Sequence, residues 1–193
     1  MDERLRLGSD GITRCSWCGD DELYQRYHDT EWGHPLHGET KVFEKISLEG
    51  FQAGLSWITI LRKRENFRSA FTGFDIPTVA RFSPGDVIRL MGDAGIVRNR
   101  AKIEAAITNA QAAETMLGRG ESLDEFCWSF APSQRRRLLG ATDPILPSTP
   151  ESTAMSKALL KQGFRFVGPT TMYAFMQSSG MVNDHIEGCE RLP

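Results

Sequence analysis

The side chains that could do chemistry in this sequence are cysteines and histidines near its two ends. The stretch VNDHIEGC places His185 and Cys189 four positions apart, a spacing that brings both side chains to one face of a helical turn. At the other end, CSWC contains Cys15 and Cys18, and His28 follows in YQRYHDTEWG. A structural zinc site needs four nitrogen or sulfur ligands, which often come as two local pairs. The pattern therefore predicts a zinc ion that joins the two ends of the chain, with Cys18 and His28 as alternatives for one ligand.

Two other interpretations of these residues stay open from their spacing alone. The cysteines could be small core residues while His185 packs or caps a helix, and CSWC could be a redox pair. The redox interpretation is the weaker one, because no βαβ pattern surrounds the motif.

The composition is that of an ordinary globular chain. Its 193 residues are 40% hydrophobic and 25% charged, which argues against the disordered, collagen-like and disulfide-rich classes. No apolar run approaches the roughly 20 residues that span a bilayer, and MDERLRLGSDG lacks the apolar core of a secretory signal. We therefore expect a cytoplasmic protein with no membrane partner, in which reduced cysteines serve as thiols or metal ligands.

The net charge of −2 gives no overall sign of nucleic-acid binding, so such a function must depend on local charge. Three basic clusters contain no acid, and each taken alone is typical of a solvated helix face. They are Arg98, Arg100 and Lys102; Arg135, Arg136 and Arg137; and Lys157, Lys161 and Arg165.

Helical patterns dominate the elements that must position these residues. Asp75 with Pro77 and Ser83 with Pro84 each pair a capping residue with a proline suited to the first helical turn. Strand-length alternation of apolar and polar residues is absent, so we predict an all-α fold, a compact domain of many helices. Helices are predicted at 39–51, 75–82, 83–91, 98–117 and 149–163.

We expect one domain, because a chain of this length can bury a single substantial core. Residues 1–13 are polar and predict a flexible tail, which leaves 14–193 as the domain. The segment 141–152 holds three prolines and could separate two domains. Since only about 40 residues follow it, we interpret it as a surface crossing within one domain.

A glycine-flanked turn, GFRFVG, joins the helix that ends at Gly163 to a second helix that begins at Pro169. The first turn of a helix has unsatisfied N–H groups and positive partial charge, so this hairpin could bind a phosphate. Lys161 and Arg165 flank that point. An ordinary packing unit of two helices is the alternative.

The hairpin and the following GMVNDHIEGC resemble the helix-hairpin-helix DNA glycosylase superfamily, with the hairpin unit at about 156–179. In that comparison Val182 and His185 match, but the catalytic aspartate falls on Asn183. The lysine nucleophile of bifunctional members falls near Thr170. The resemblance therefore implies a monofunctional enzyme without lyase activity.

One branch of the superfamily, the 3-methyladenine DNA glycosylase I family, lacks both of those groups, and the chain resembles it from about Arg14 to Cys189. The resemblance is carried by RCSW, YHDTEWG, LEGFQAGLSWITILRKRENFR, DAGIVRNRAKI, FCWSF, SKALLKQGFRFVG and GMVNDHIEGC. It implies one structural Zn²⁺ per chain. The implied ligands are Cys15, His28, His185 and Cys189, while Cys18 departs from the family pattern.

The same resemblance implies a base pocket and a DNA-binding hairpin. Without the resemblance, Glu49 would be interpreted as a solvated acid on a helix and Trp57 as a core aromatic residue. The family places both in the base pocket together with Tyr27. Glu49 is then the catalytic residue, which accepts a hydrogen bond from the base while Trp57 stacks on it. The implied DNA-binding residues are Gly163, Arg165, Gly168 and Thr170.

The implied activity is the hydrolytic excision of 3-methyladenine, which is flipped out of alkylated double-stranded DNA and leaves an abasic site. Alkylation at N3 makes the base a cation that departs neutral, so little acid catalysis is needed. The expected partners are alkylated duplex DNA and free 3-methyladenine as product, and a monomer is expected. The alternative is a zinc-stabilised module that binds DNA without catalysis, but phosphate binding alone does not require the pocket residues.

Overall fold

The computed structural model describes residues 2–134 and 138–193, and this part of the chain is mostly helical. The prediction of a helical fold is confirmed at this level. The α-helices are α1 (Glu22–Thr30), α2 (Glu39–Gln52), α3 (Trp57–Ala70), α4 (Ile76–Ala80), α5 (Pro84–Gly92), α6 (Arg100–Gly118), α7 (Leu123–Trp128), α8 (Pro150–Lys161) and α9 (Pro169–Ser178).

The all-α prediction misses a small sheet near the N-terminus. Strands β1 (Leu5–Leu7) and β2 (Thr13–Cys15) pair antiparallel, with Leu5 opposite Cys15 and Leu7 opposite Thr13. Three residues are too few to produce a visible alternation of apolar and polar residues. The residues expected to form a loose tail thus include a strand, while their flexibility stays a prediction.

The predicted helix starts are confirmed by their caps. The Asp75 side chain accepts a hydrogen bond from the Thr78 N–H at the start of α4. Ser83 and Thr149 begin α5 and α8 with capping boxes, in which the cap and the third helical residue satisfy each other's N–H groups. These starts are predictable because the interacting residues are neighbours in the sequence.

Three helices, α1, α3 and α7, were not predicted. Helix α3 carries charged residues on most of its circumference and has only a weak apolar face. Helix α7 is six residues long, shorter than two helical turns. Neither displays the stripe by which an amphipathic helix is recognised in a sequence.

The chain forms two compact units. The first consists of Met1–Leu36, Ala131–Pro147 and Met176–Pro193, and the second of His37–Phe130 and Ser148–Phe175. The chain returns to the second unit at Ser148, inside the proline-rich segment 141–152. The prediction of a single domain therefore stays a prediction.

Each unit has its own buried side chains. In the first, Cys15, Leu139, Ile186 and Cys189 form an apolar cluster that Leu5 covers. In the second, a group of aromatic rings packs within 4.6 to 6.2 Å between centroids. Its members are Phe43, Phe51, Phe67, Phe71 and Phe74. Within the described residues, no helix is both long and apolar enough to cross a membrane.

Candidate metal centre, base pocket and DNA-binding hairpin

Three of the four predicted zinc ligands converge in the first unit. The ligand atoms of Cys15, His28 and Cys189 all lie within 4.8 Å of one another, and all three residues are buried. The Cys189 Sγ and the His28 Nε2 are 3.6 Å apart. Tetrahedral zinc with bonds of about 2.0 to 2.3 Å separates its ligand atoms by roughly 3.3 to 3.8 Å. The donor set and this spacing fit a zinc ion.

The fourth predicted ligand, His185, is fully buried beside this cluster, and its ring centroid lies 5.1 Å from that of His28. The expectation that His185 and Cys189 share a helical turn is wrong. Residues 182–189 contain no helix: Ile186 bridges to Leu139, and Gly188 has a φ of 99°. The bridge and the left-handed glycine hold the segment in an irregular conformation.

Cys18 has a different role from the three clustered residues. It is buried, and its thiol donates a hydrogen bond to the Cys15 carbonyl at 3.1 Å. Burial raises the pKa of the Cys18 thiol to about 11. The ligand atoms that converge are those of Cys15, His28 and Cys189, and the Cys18 sulfur is not among them. Of the alternatives left open by the sequence, the geometry therefore favours His28.

The two clustered thiols are electrostatically unequal. The Cys15 thiol donates to the Cys189 sulfur, which raises the pKa of Cys15 and lowers that of Cys189 to about 4. His28 adds a further hydrogen bond to Cys189. The Ile186 N–H donates to the Cys15 Sγ at 3.4 Å, an interaction that favours negative charge on the sulfur.

Both histidines are oriented by a neighbouring side chain. His28 Nδ1 donates to the Asp29 carboxylate at 2.8 Å, which turns its Nε2 to the sulfur of Cys189. His185 Nδ1 lies 2.9 Å from the Asn183 Oδ1. Such outer contacts fix the tautomer and the ring orientation of metal-bound histidines. Asn183, on which the resemblance places the superfamily's aspartate, thus contacts a predicted metal ligand.

Asp29 is itself held by Arg14, a buried arginine. The Arg14 Nε and Nη2 donate to Asp29 at 2.8 to 3.0 Å, and both terminal nitrogens also donate to Asp10. Burial raises the pKa of Asp29, but the hydrogen bonds from Arg14 and His28 outweigh it and lower the pKa below its ordinary value. A charged chain of contacts therefore runs from Asp10 through Arg14 and Asp29 to His28.

Several aromatic side chains surround this cluster and were not singled out from the sequence. The Trp32 ring lies 4.5 Å from the His185 ring, and Trp17 packs edge-on against Tyr24 at 5.0 Å and Tyr27 at 6.4 Å. The predicted pocket residue Tyr27 is buried on α1, one position before His28. The signal in the sequence was the aromatic density of the segment from Trp17 to Trp32.

Glu49 and Trp57, the other predicted pocket residues, lie in the second unit, on α2 and at the start of α3. Glu49 is 4% exposed and Trp57 is 7% exposed. The interpretation of Glu49 as a solvated helix acid is therefore wrong. Lys45 is also buried on α2, and its Nζ lies 4.9 Å from the centroid of the Trp57 ring.

The turn between α2 and α3 exposes an apolar side chain, Leu55, which is 42% exposed. Lys102 supports this turn from α6, because its ammonium donates to the carbonyl groups of Phe51 and Ala53. The expectation that Lys102 belongs to a solvated face is thus wrong, and burial lowers its pKa. The predicted cluster of Arg135, Arg136 and Arg137 lies outside the described residues.

The predicted hairpin lies between α8 and α9, where residues 162–168 form the turn. Asn109, buried on α6, holds it by two hydrogen bonds to Arg165: its Oδ1 accepts from the backbone N–H at 2.7 Å and its Nδ2 donates to the carbonyl at 3.0 Å. The next residue, Phe166, has a φ of 55°. The two hydrogen bonds from the Asn109 amide hold the turn next to Phe166, whose positive φ is rarely adopted by non-glycine residues.

The predicted DNA-binding residues are accessible on this hairpin. Gly163, Arg165 and Thr170 are exposed and Gly168 is partly exposed. Lys157 and Lys161 on α8 are also exposed and add positive charge. The hairpin packs beside α2, since a Cβ on Gly50 would lie 3.4 Å from the Phe166 Cβ.

Comparisons with known proteins are consistent over nearly the whole chain. Residues 17–192 match the family model described as methyladenine glycosylase. The DNA-3-methyladenine glycosylase 1 of Escherichia coli (strain K12) is 52% identical over 179 residues, which cover 92% of this chain and 96% of that protein.

Solved structures that resemble this chain carry the same family name. A crystal structure of 3-methyladenine DNA glycosylase I is 50% identical, with a TM-score of 0.88, and covers 93% of this chain and 100% of that one. A structure on 3-methyladenine recognition by the Staphylococcus aureus 3-methyladenine DNA glycosylase I is 35% identical, with a TM-score of 0.85. The similarity covers 93% of this chain and 96% of that chain.

Proposed function

The chain belongs to the methyladenine glycosylase family, and we propose that it excises 3-methyladenine from alkylated duplex DNA and leaves an abasic site. As a member of that family it is a DNA glycosylase, a hydrolase of the bond between base and sugar. The observation that carries the proposal is the burial of two side chains on adjacent helices, Glu49 and Trp57. The family resemblance assigns both residues to the base pocket. A buried carboxylate is costly unless it serves a bound partner or a buried cation.

Glu49 accepts a hydrogen bond from the exocyclic amino group of the base and attracts its positive charge. Trp57 stacks on the purine, and a cation held on an indole ring gains about 0.5 to 2 kcal/mol. Since the lesion is already cationic, the pocket selects and holds the base, and its departure as a neutral purine needs no general acid.

Base excision requires that the nucleotide leave the helical stack, and damaged bases do so at the lowest cost. The hairpin residues Gly163, Arg165, Gly168 and Thr170 bind the DNA backbone through N–H groups and the arginine side chain. Leu55 fills the gap left in the duplex, because an exposed apolar side chain on a turn can enter between base pairs. Its turn directly precedes Trp57, which supports this assignment.

Strand cleavage is not part of the proposed reaction. Lyase chemistry needs a lysine nucleophile, and the matching position is near Thr170. The position that the resemblance matches to the superfamily's catalytic aspartate holds Asn183, whose side chain contacts His185. The hydrolysis therefore proceeds without a lysine nucleophile and without an aspartate at position 183. Separately, we propose that the enzyme acts as a monomer.

We further propose that Cys15, His28, His185 and Cys189 hold one structural zinc ion. Zinc bound by four protein ligands has no open position for water, so it stabilises the fold rather than activating a nucleophile. The ligands come from β2, α1 and the C-terminal segment. The metal would thus fasten Tyr27, one residue before His28, to the segment that follows the hairpin helix α9.

The test is to incubate the purified protein with methylated duplex DNA, separate the released bases by chromatography and examine the strands on a denaturing gel. Release of 3-methyladenine with intact strands is the expected result, and the control variant Glu49→Gln should release the base more slowly. Retention of DNA without base release would favour the non-catalytic binding module. Cleaved strands would contradict the monofunctional mechanism.

A further inference from the structure

Helix α2 buries two opposite charges one turn apart. Lys45 is 8% exposed and Glu49 is 4% exposed, and the four-residue spacing places both on the same face of the helix. Side chains at this spacing are neighbours, with Cβ atoms roughly 5 to 6 Å apart. Buried lysine and glutamate are rare unless each offsets the charge of the other or of a ligand.

The lysine also reaches the second aromatic component of the proposed pocket. Its Nζ lies 4.9 Å from the centroid of the Trp57 ring, within the range of a cation–π interaction. Lys45 therefore connects the two pocket residues: its stem shares a helix face with Glu49, and its charge lies over Trp57. A cation thus already lies against the indole ring on which a cationic base would stack.

We propose that Lys45 is a specificity-determining residue that sets how strongly the pocket distinguishes a cationic purine from a neutral one. The inference rests on the proposed base pocket of Glu49 and Trp57. A pocket with Glu49 alone carries one negative charge and favours a cationic ligand over a neutral ligand of the same shape. The ammonium of Lys45 offsets the negative charge of Glu49, so the ligand's positive charge gains much less.

This charge balance suits a reaction whose ligand changes charge. The damaged base enters as a cation and is released from the sugar as a neutral purine. With Lys45 present, the pocket retains affinity for both forms and does not depend on the ligand to neutralise Glu49. Without it, the buried carboxylate would bind the cation more strongly than the neutral product.

The test compares two probes of similar shape, 3-methyladenine, which is neutral, and 3,9-dimethyladeninium, which is permanently cationic and carries a methyl group in place of the sugar. Affinities are measured by calorimetric titration for the wild type, Lys45→Met and Lys45→Arg. In Lys45→Met, the ratio of cation affinity to neutral-base affinity should rise on the order of tenfold, since a like charge in a weakly screened site is removed. Lys45→Arg keeps the charge and should retain the wild-type ratio.

An unchanged ratio in Lys45→Met would overturn the inference, as would an equal rise in Lys45→Arg. If Lys45→Met does not fold, Lys45→Gln removes the same charge with a polar side chain and is judged by the same ratio. Glu49→Gln separates this inference from the proposed function. Wild-type affinity for both probes in Glu49→Gln would refute the pocket itself, whereas a loss there with an unchanged ratio in the Lys45 variants would refute only the role of Lys45.

Discussion

Replacement of Asp29 by asparagine tests whether the contacts behind His28 stabilise the metal centre. The carboxylate accepts from His28 Nδ1 at 2.8 Å and from two nitrogens of Arg14 at 2.8 to 3.0 Å. The Arg14 side chain is 6% exposed and that of Asp29 is 16% exposed. Asparagine has the same size but no charge, so it removes the ion pair without creating a cavity.

The magnitude follows from this geometry. Removing one partner of a buried ion pair costs about 3 to 5 kcal/mol when the other charge is left unpaired. Arg14 keeps its contacts with Asp10, and Asp29 is partly hydrated, so we expect a loss of about 2 to 3 kcal/mol in the free energy of unfolding. Loss of the contact that orients a ligating histidine should weaken metal binding by about 10- to 100-fold.

The assay is urea unfolding of the metal-loaded protein, with zinc affinity measured separately by competition with a chromogenic chelator. Asp20→Asn is the matched control, because Asp20 pairs with Arg6 where both side chains are more than half exposed. Such surface pairs contribute less than about 1 kcal/mol. If Asp29→Asn resembles Asp20→Asn in both measurements, the proposed support of His28 by Asp29 and Arg14 is refuted.

Four further predictions concern the pocket, the turn, the hairpin and the metal. Glu49→Gln should weaken binding of free 3-methyladenine and slow excision by about tenfold or more; unchanged affinity by titration would remove Glu49 from the pocket. Leu55→Ala should lower the excision rate on duplex DNA about tenfold but leave free-base affinity intact, and an equal effect of the exposed control Leu160→Ala would argue against a specific role. Asn109→Asp keeps the acceptor for the hairpin N–H and loses the donor to its carbonyl, so duplex affinity measured by fluorescence anisotropy should fall about tenfold; a matching fall in free-base affinity would point to general misfolding instead. Cys189→Ser, or chelation, should lower the unfolding temperature by about 5 °C or more with little effect on the rate of base release per folded molecule, and full thermal stability of a metal-free preparation would contradict a structural zinc ion.

The helix starts and the types of the candidate ligands are determined by the sequence itself. Asp75, Ser83 and Thr149 cap helices through contacts with residues three positions away. A cap depends on such neighbours alone, so it can be recognised without knowledge of the fold. The cysteines and histidines near both ends likewise indicate zinc, because sulfur and imidazole are the ligands it prefers.

Some expectations failed where a contact over a long stretch of sequence overrides the local pattern. His185 and Cys189 have helical spacing, but the bridge between Ile186 and Leu139 and the conformation of Gly188 exclude a helix. Lys102 appears in a basic run, yet it is buried, and its ammonium donates hydrogen bonds to two carbonyl groups at the end of α2. In both cases the deciding partner lies about 50 positions away.

The assignment of ligands and their supports required the tertiary structure for the same reason. The choice between Cys18 and His28 depends on which atom approaches Cys189, a residue more than 150 positions later in the chain. Spacing in a sequence indicates which residues can be neighbours on one helix or strand. The burial of side chains and the convergence of ligand atoms depend instead on how distant segments pack. The sequence therefore determined the chemical groups and the local elements that carry them, and the packing decided which groups meet, which charges are buried and which side chains remain accessible to solvent.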